Sequence, residues 1–168
     1  VWEQEYKKKV TEVKTFPVPF PFGKKQGNII INTNTPSNSS REQIINQAFN
    51  FHTQGNISEA AKYYQYFINQ GFKDHRVFSN YAGILQGFGK LNEAELSLRK
   101  AIKMNPDDAE AHSNLGIILK NLGKSQEAEL SYRKAIKLKP DYAVSHFNLG
   151  NILHILGKLK EAELSTRK

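Results

Sequence analysis

Four asparagines, Asn46, Asn80, Asn114 and Asn148, stand 34 residues apart in this 168-residue chain. A carboxamide carries both a donor and an acceptor, so each can pair with the amide groups of an extended polypeptide whatever its side chains. Asparagine is an indifferent helix former, and four copies at one register ask for a reason other than propensity. Two readings fit: a ladder that holds peptide backbone, or a polar contact to the neighbouring repeat that belongs to the repeat template. No comparable set points to bond-making chemistry. The histidines His52, His75, His112, His146 and His154 never take the His-x-x-x-His spacing of a helical metal site. His112 and His146 share a register that suits partial packing. Without a Gly-rich phosphate loop, a nucleophile motif or paired acids, the expectation is no catalysis, no metal and no cofactor. Cysteine is absent, which removes disulfides and thiolate zinc sites and fits any compartment.

The elements that position the asparagines repeat with the same spacing. Gly55, Gly89, Gly123 and Gly157 each open a phrase that ends in Glu-Ala, at Ala60, Ala94, Ala128 and Ala162. A period of 34 residues means stacked supersecondary units, each unable to bury its apolar face alone. The clearest copy covers residues 109–142. Ala111, Leu115, Ile118, Leu119 and Leu122 mark one helical face, which Gly123 ends by taking the left-handed conformation. Ser125 reads as the N-cap of a second helix carrying Ala128, Leu130, Tyr132, Ala135, Ile136 and Leu138, and Pro140 closes it. Gly116 and Ala128 fall where the two helix backbones must approach. Ala48 with Ala60, Ala82 with Ala94, and Gly150 with Ala162 hold those places in the other copies.

Leu115, Gly116, Ala128, Tyr132, Ala135 and Pro140 together resemble the marker pattern of the tetratricopeptide repeat. That resemblance covers roughly three quarters of the chain. It implies an all-α, right-handed solenoid with repeats at 41–74, 75–108, 109–142 and 143–168, behind an irregular arm at 1–40. The first copy departs most, with Gln47, Phe67 and Phe72 at marker positions, as terminal repeats do. The last is truncated roughly eight residues short of the period, so the natural polypeptide is expected to continue. In such a stack the first helices line the concave wall and the second helices the convex one. Asn46, Phe49, Asn80, Asn114, Ile117, Lys120, Phe147, Asn148 and Asn151 are the groove residues so predicted, with Ile45 and Ser113 on the same wall. The asparagine column resembles the ladder of O-GlcNAc transferases, which implies that Asn46, Asn80, Asn114 and Asn148 grip polypeptide backbone. A second class of these domains clamps a terminal carboxylate with lysines. Here Ile45, Ser79, Ser113 and Phe147 hold the place of the first clamp lysine, which argues against a clamp.

The net charge is +8, from 24 Lys and Arg against 16 Asp and Glu. Lys7, Lys8, Lys9, Lys14, Lys24 and Lys25 precede the repeats. Arg99, Arg133 and Arg167 recur on second helices, each four residues after Glu95, Glu129 or Glu163. Pairs of this kind contribute about 0.2–0.5 kcal/mol and usually mark a solvated face. No aromatic positions interleave with the charge, so specific nucleic-acid binding is not expected. No apolar run approaches the ~18 residues of a membrane span; the first ten residues are charged and lack the apolar core of a secretory signal, and without an initiator Met a signal lost from a cropped amino end stays open. A cytoplasmic location is the default expectation.

Ahead of the repeats, residues 1–15 suit a short charged helix with Trp2, Tyr6 and Val10 on one side. Residues 16–22 alternate proline with large apolar groups and favour an extended course, either as a strap on the first repeat or as a ligand for a groove. Residues 28–35 read as a short strand or a disordered linker, and Ser40 as the N-cap of the first repeat helix. The functional expectation is a scaffold that binds protein or peptide, recognising extended polypeptide in its concave groove. Two alternatives stand beside it: a substrate-recognition module of a larger glycosyltransferase-like enzyme, and an oligomerisation module using the exposed repeat end or the arm.

Overall fold

In a computed structural model the described residues are 15–16, 29–30 and 38–166. The chain divides into two compact units, Val1–Phe72 and Lys73–Lys168.

In the first unit, β1 (Thr15–Phe16) pairs antiparallel with β2 (Ile29–Ile30), placing Thr15 opposite Ile30 and Phe16 opposite Ile29. Of the two readings for residues 28–35, the β-branched Ile29 and Ile30 thus take the strand. Thr15 is extended rather than the end of a helix. The remainder of the expected amino-terminal helix, and residues 17–22 of the Pro/Phe segment, lie outside the described residues. Helices α1 (Asn38–Thr53) and α2 (Ile57–Asn69) form the hairpin of this unit. The helix starts at Asn38, so Ser40 is helical rather than a cap; Asn38 and Ser39 are themselves good initiating residues. Ala48 and Ala60 are wholly buried. Phe67 and Phe72, which replace the marker alanine and proline, meet with ring centroids 5.3 Å apart and fill the space those small residues would leave.

The second unit is three hairpins: α3 (His75–Gly87) with α4 (Leu91–Met104), α5 (Ala109–Asn121) with α6 (Ser125–Leu138), and α7 (Ala143–Ile155) with α8 (Leu159–Thr166). Asp74 caps α3 by accepting from the Arg76 amide, and Asp108 caps α5 by accepting from the Ala111 amide, both at 3.0 Å. Gly123 ends the α5 segment with φ of 75°, where a side chain would be strained. Ser125 is the first residue of α6, and the cap position falls to Lys124, whose side chain makes no capping bond. His112 and His146 bond through Nε2 to the carbonyls of Pro106 and Pro140, at 2.9 and 2.8 Å. Each ring therefore donates to the loop that introduces its own helix, a tether repeated at one register.

The close approach inside the α5–α6 hairpin is between a glycine and a ring. A Cβ on Gly116 would lie 2.6 Å from the Tyr132 ring, which is fully buried. That ring carries its hydroxyl into the core, where the oxygen is buried and unpartnered among the described residues. Burial pushes its ionisation well above the ordinary phenol range. A buried polar group without a partner costs about 1–3 kcal/mol. Tyr132→Phe is therefore expected to leave stability unchanged or raise it by about 1 kcal/mol, read as the urea midpoint. A clear loss would show that the hydroxyl has a partner, such as a bound water.

Charged clasps join successive hairpins. Glu95 is only 8 % exposed; it accepts from Arg99 on its own helix at 2.9 Å and from Lys124 of the next hairpin at 2.7 Å. Arg99 also reaches Glu127 at 2.7 Å. One repeat on, Glu129 is 7 % exposed and binds Arg133 at 2.9 Å and Lys158 at 2.8 Å, while Arg133 reaches Glu161. The glutamates are thus not on a solvated face, as the four-residue spacing alone predicts, but at the joint between hairpins. The lysine that completes each pair lies 29 residues on in sequence. The side chains of Glu163 and Arg167 lie outside the described residues. Nearer the first helices, Ser145 donates to Ser113 at 2.9 Å, tying α7 to α5.

Candidate functional site

Helices α3, α5 and α7 stack side by side in the second unit. Each buries the face that meets its second helix, through Tyr81, Ala82 and Leu85, through Leu115, Gly116 and Leu119, and through Leu149, Gly150 and Leu153. The opposite sides of these helices form a shared open face. Asn80, Asn114 and Asn148 stand half-buried at one register of it. One turn further along are Gly83, Ile117 and Asn151, and then Gln86, Lys120 and His154. Phe147 lies beside Asn148 with 62 % of its surface exposed. The structure therefore brings Asn80, Asn114, Asn148, Ile117, Lys120, Phe147 and Asn151 onto three neighbouring helices. The carboxamides of Asn114 and Asn148 make no hydrogen bond among the described residues.

Asn46 and Phe49 belong to α1 in the first unit. Asn46 is exposed, whereas Phe49 is half-buried, with its ring edge against Tyr64 at 6.0 Å between centroids. His52 also turns to Tyr64, with Nδ1 3.1 Å from the hydroxyl. Two other residues expected on the wall are not on it. Ile45 and Ser113 are buried, although Phe147 at the same register is exposed; Ser113 is covered by the next first helix, where Ser145 donates to it. Ile155, 62 % exposed, belongs to the open edge of α7 instead. Its apolar type and helical spacing read as core in the sequence, and nothing short of the packing separates it from Ile152.

Among the described residues no group of three or more His, Cys, Asp or Glu is placed to hold a metal ion. No described helix is long and apolar enough to cross a membrane. What the face offers is carboxamides, an amine and exposed apolar groups in a repeating pattern. Such groups suit reversible contacts along an extended chain.

The same period emerges from comparison with known families. A model described as Tetratricopeptide repeat matches residues 109–142, another of that description matches 131–163, and one described as TPR repeat matches 89–123. Residues 89–163 are tetratricopeptide repeats. No curated protein matches in sequence. Solved tetratricopeptide structures share the fold more widely. The crystal structure of MamA is similar with a TM-score of 0.72 at 19% identity, over 76% of this chain and 74% of that one. The first TPR of Spaghetti (RPAP3), bound to HSP90 peptide SRMEEVD, gives 0.67 at 21%, over 72% and 96%. YrrB, a TPR protein with an unusual peptide-binding site, gives 0.69 at 19%, over 76% and 66%. At these identities the likeness is one of fold, an all-helical tetratricopeptide solenoid.

Proposed function

We propose that the chain is a scaffold that binds protein or peptide, holding an extended segment along the open face of its first helices. The observation that carries this reading is the row Asn80, Asn114 and Asn148 on adjacent helices. Donors and acceptors repeat there at the interval of the fold, and those of Asn114 and Asn148 are left over by the hydrogen bonding among the described residues. Carboxamides of this kind recognise amide groups and leave side chains largely unread, which favours broad sequence tolerance. Ile117 and Phe147 supply apolar contact beside them. Two structures of the same fold support the reading: RPAP3 holds an HSP90 peptide, and YrrB has a peptide-binding site. Asn46 and Phe49 are proposed separately as groove residues of the first unit.

The test is the affinity of the full chain for a panel of unrelated extended peptides, wild type beside Asn80→Ala/Asn114→Ala. A net hydrogen bond is worth about 1 kcal/mol, so losing two carboxamides is expected to weaken binding tenfold or more. Helicity and melting should stay unchanged, since both side chains are half-exposed. Unaltered affinity would move the site elsewhere. A collapse of melting would make these asparagines structural.

A further inference from the structure

The outer surface of the second helices carries a second, different pattern. Leu96, Leu130 and Leu164, at one register of α4, α6 and α8, are 62, 67 and 66 % exposed. Isolated exposed leucines need no explanation, but three at the interval of the fold make a repeated feature. Lys100 and Lys103 follow Leu96 by four and seven residues, and Lys134 and Lys137 follow Leu130 in the same way. In a helix those offsets put apolar and basic groups on one stripe.

Between the stripes lie two recesses that are the same site one repeat apart. The first, about 400 Å³, is lined by Ile102, Lys103, His112, Leu115, Leu130 and Lys134. The second, about 410 Å³, has Ile136, Lys137, His146, Leu149 and Leu164 at corresponding places. Arg99 and Arg133 border them too, but their guanidinium groups are engaged in the clasps with Glu127 and Glu161. Lys103, Lys134 and Lys137 make no ion pair among the described residues. Each recess is therefore apolar in its floor with lysine at its rim, and the second also has Glu161 there, paired with Arg133. The first repeat carries Lys62, Tyr66 and Asn69 at these registers, so the pattern is confined to the second unit.

We propose that this outer face binds an acidic peptide segment, separately from the asparagine row, with apolar side chains seated in the two recesses and carboxylates against Lys103, Lys134 and Lys137. Packed helices lie about 8–10 Å apart, and an extended chain covers about 10 Å in three residues. The segment that fits has two apolar residues three positions apart, with acidic residues around them. Charge complementarity selects the acid, and two discrete recesses one repeat apart suit separate side chains better than a continuous lipid surface. Nucleic acid is disfavoured because no exposed aromatic ring stands among these lysines to stack a base.

The probe is a fluorescent peptide of eight residues, glutamate except for two leucines three positions apart, titrated against the full chain at low and high salt. Saturable binding that weakens with salt is expected. Replacing both leucines of the peptide by serine should weaken it at least tenfold. Leu130→Ser should do the same, and so should Lys103→Glu/Lys134→Glu; all three side chains are on the surface, and far-UV circular dichroism checks that each variant is folded. Equal affinity for the serine peptide, or indifference to both variants, overturns the proposal. So does tighter binding to phosphatidylserine vesicles or to a single-stranded oligonucleotide at the same salt, which would make the stripe a membrane or nucleic-acid surface.

Discussion

Gly116→Val is expected to destabilise the repeat unit by about 3 kcal/mol, near the upper end of what overpacking a filled core costs. Even one methyl group at this position falls 2.6 Å from the ring of Tyr132. The ring is wholly buried, so it cannot swing into solvent to make room. Gly116→Ala should lose less, about 1–2 kcal/mol, because alanine regains nearly 1 kcal/mol of helix propensity against a similar steric cost. The preceding repeat indicates the remedy. It holds Ala82 and Leu98 where this one holds Gly116 and Tyr132. Gly116→Ala/Tyr132→Leu should therefore lose at least about 1 kcal/mol less than the sum of its single variants, as expected for residues that share one space. Urea unfolding of the four proteins measures this coupling. Strict additivity would show that the methyl group is accommodated by a backbone shift rather than opposed by the ring.

Gly116 also illustrates what was legible in the sequence. Its type and its place after Leu115 follow from the period, but its partner does not: the period pairs it with Ala128, whereas the structure sets the Tyr132 ring against it. The period was enough for the hairpins, their faces and the open side of α3, α5 and α7, because each depends on residues close in sequence. Helix starts were less legible. Ser125 has the right chemistry for a cap, but the chain enters the helix one residue earlier at Lys124. The side-chain caps among the described residues are on first helices, where Asp74 opens α3 and Asp108 opens α5, and they too lie 34 residues apart. Ser113 and Phe147 share a register, yet Ser113 is buried against Ser145 of the next first helix while Phe147 is exposed, so burial there depends on stacking between repeats and not on residue type. Least legible were the clasps. Glu95 finds Arg99 at four residues, a spacing found on any surface helix, while its burial and its second partner depend on how hairpins stack. The recurring lysine at 90, 124 and 158 was the available signal. Lysine is poorly suited to a helix amino terminus, where the macrodipole disfavours cations, so its repetition there called for an acid elsewhere.

The clasps make stability depend on pH in a definite direction. Hydrogen bonding from Lys124 is the main cause that holds the Glu95 carboxyl below its ordinary range; burial opposes it and Arg99 reinforces it. Lys158 and Arg133 do the same for Glu129. A carboxyl depressed in the folded state is protonated first in the unfolded chain, so the unfolded state binds more protons over that interval. The clasp contribution is therefore fully present above the ordinary glutamate value of 4.5 and is lost as pH falls through the lowered folded value. Glu95→Gln/Glu129→Gln should be less stable than wild type at pH 7 and should show a shallower loss of urea midpoint on acidification. Each glutamate is buried but its basic partners are half-solvated, so the cost lies between a surface pair and a buried one, about 1–2 kcal/mol per site. In a repeat stack these joints are the nearest-neighbour terms that make separate hairpins unfold together. Weakening both should therefore broaden the transition as well as shift it. The first repeat has Ala61 and Gln65 in place of the glutamate and arginine, so this device is encoded only from the second repeat onward. If the double variant keeps the wild-type acid slope and sharpness, the carboxylates are bystanders and apolar packing alone couples the hairpins.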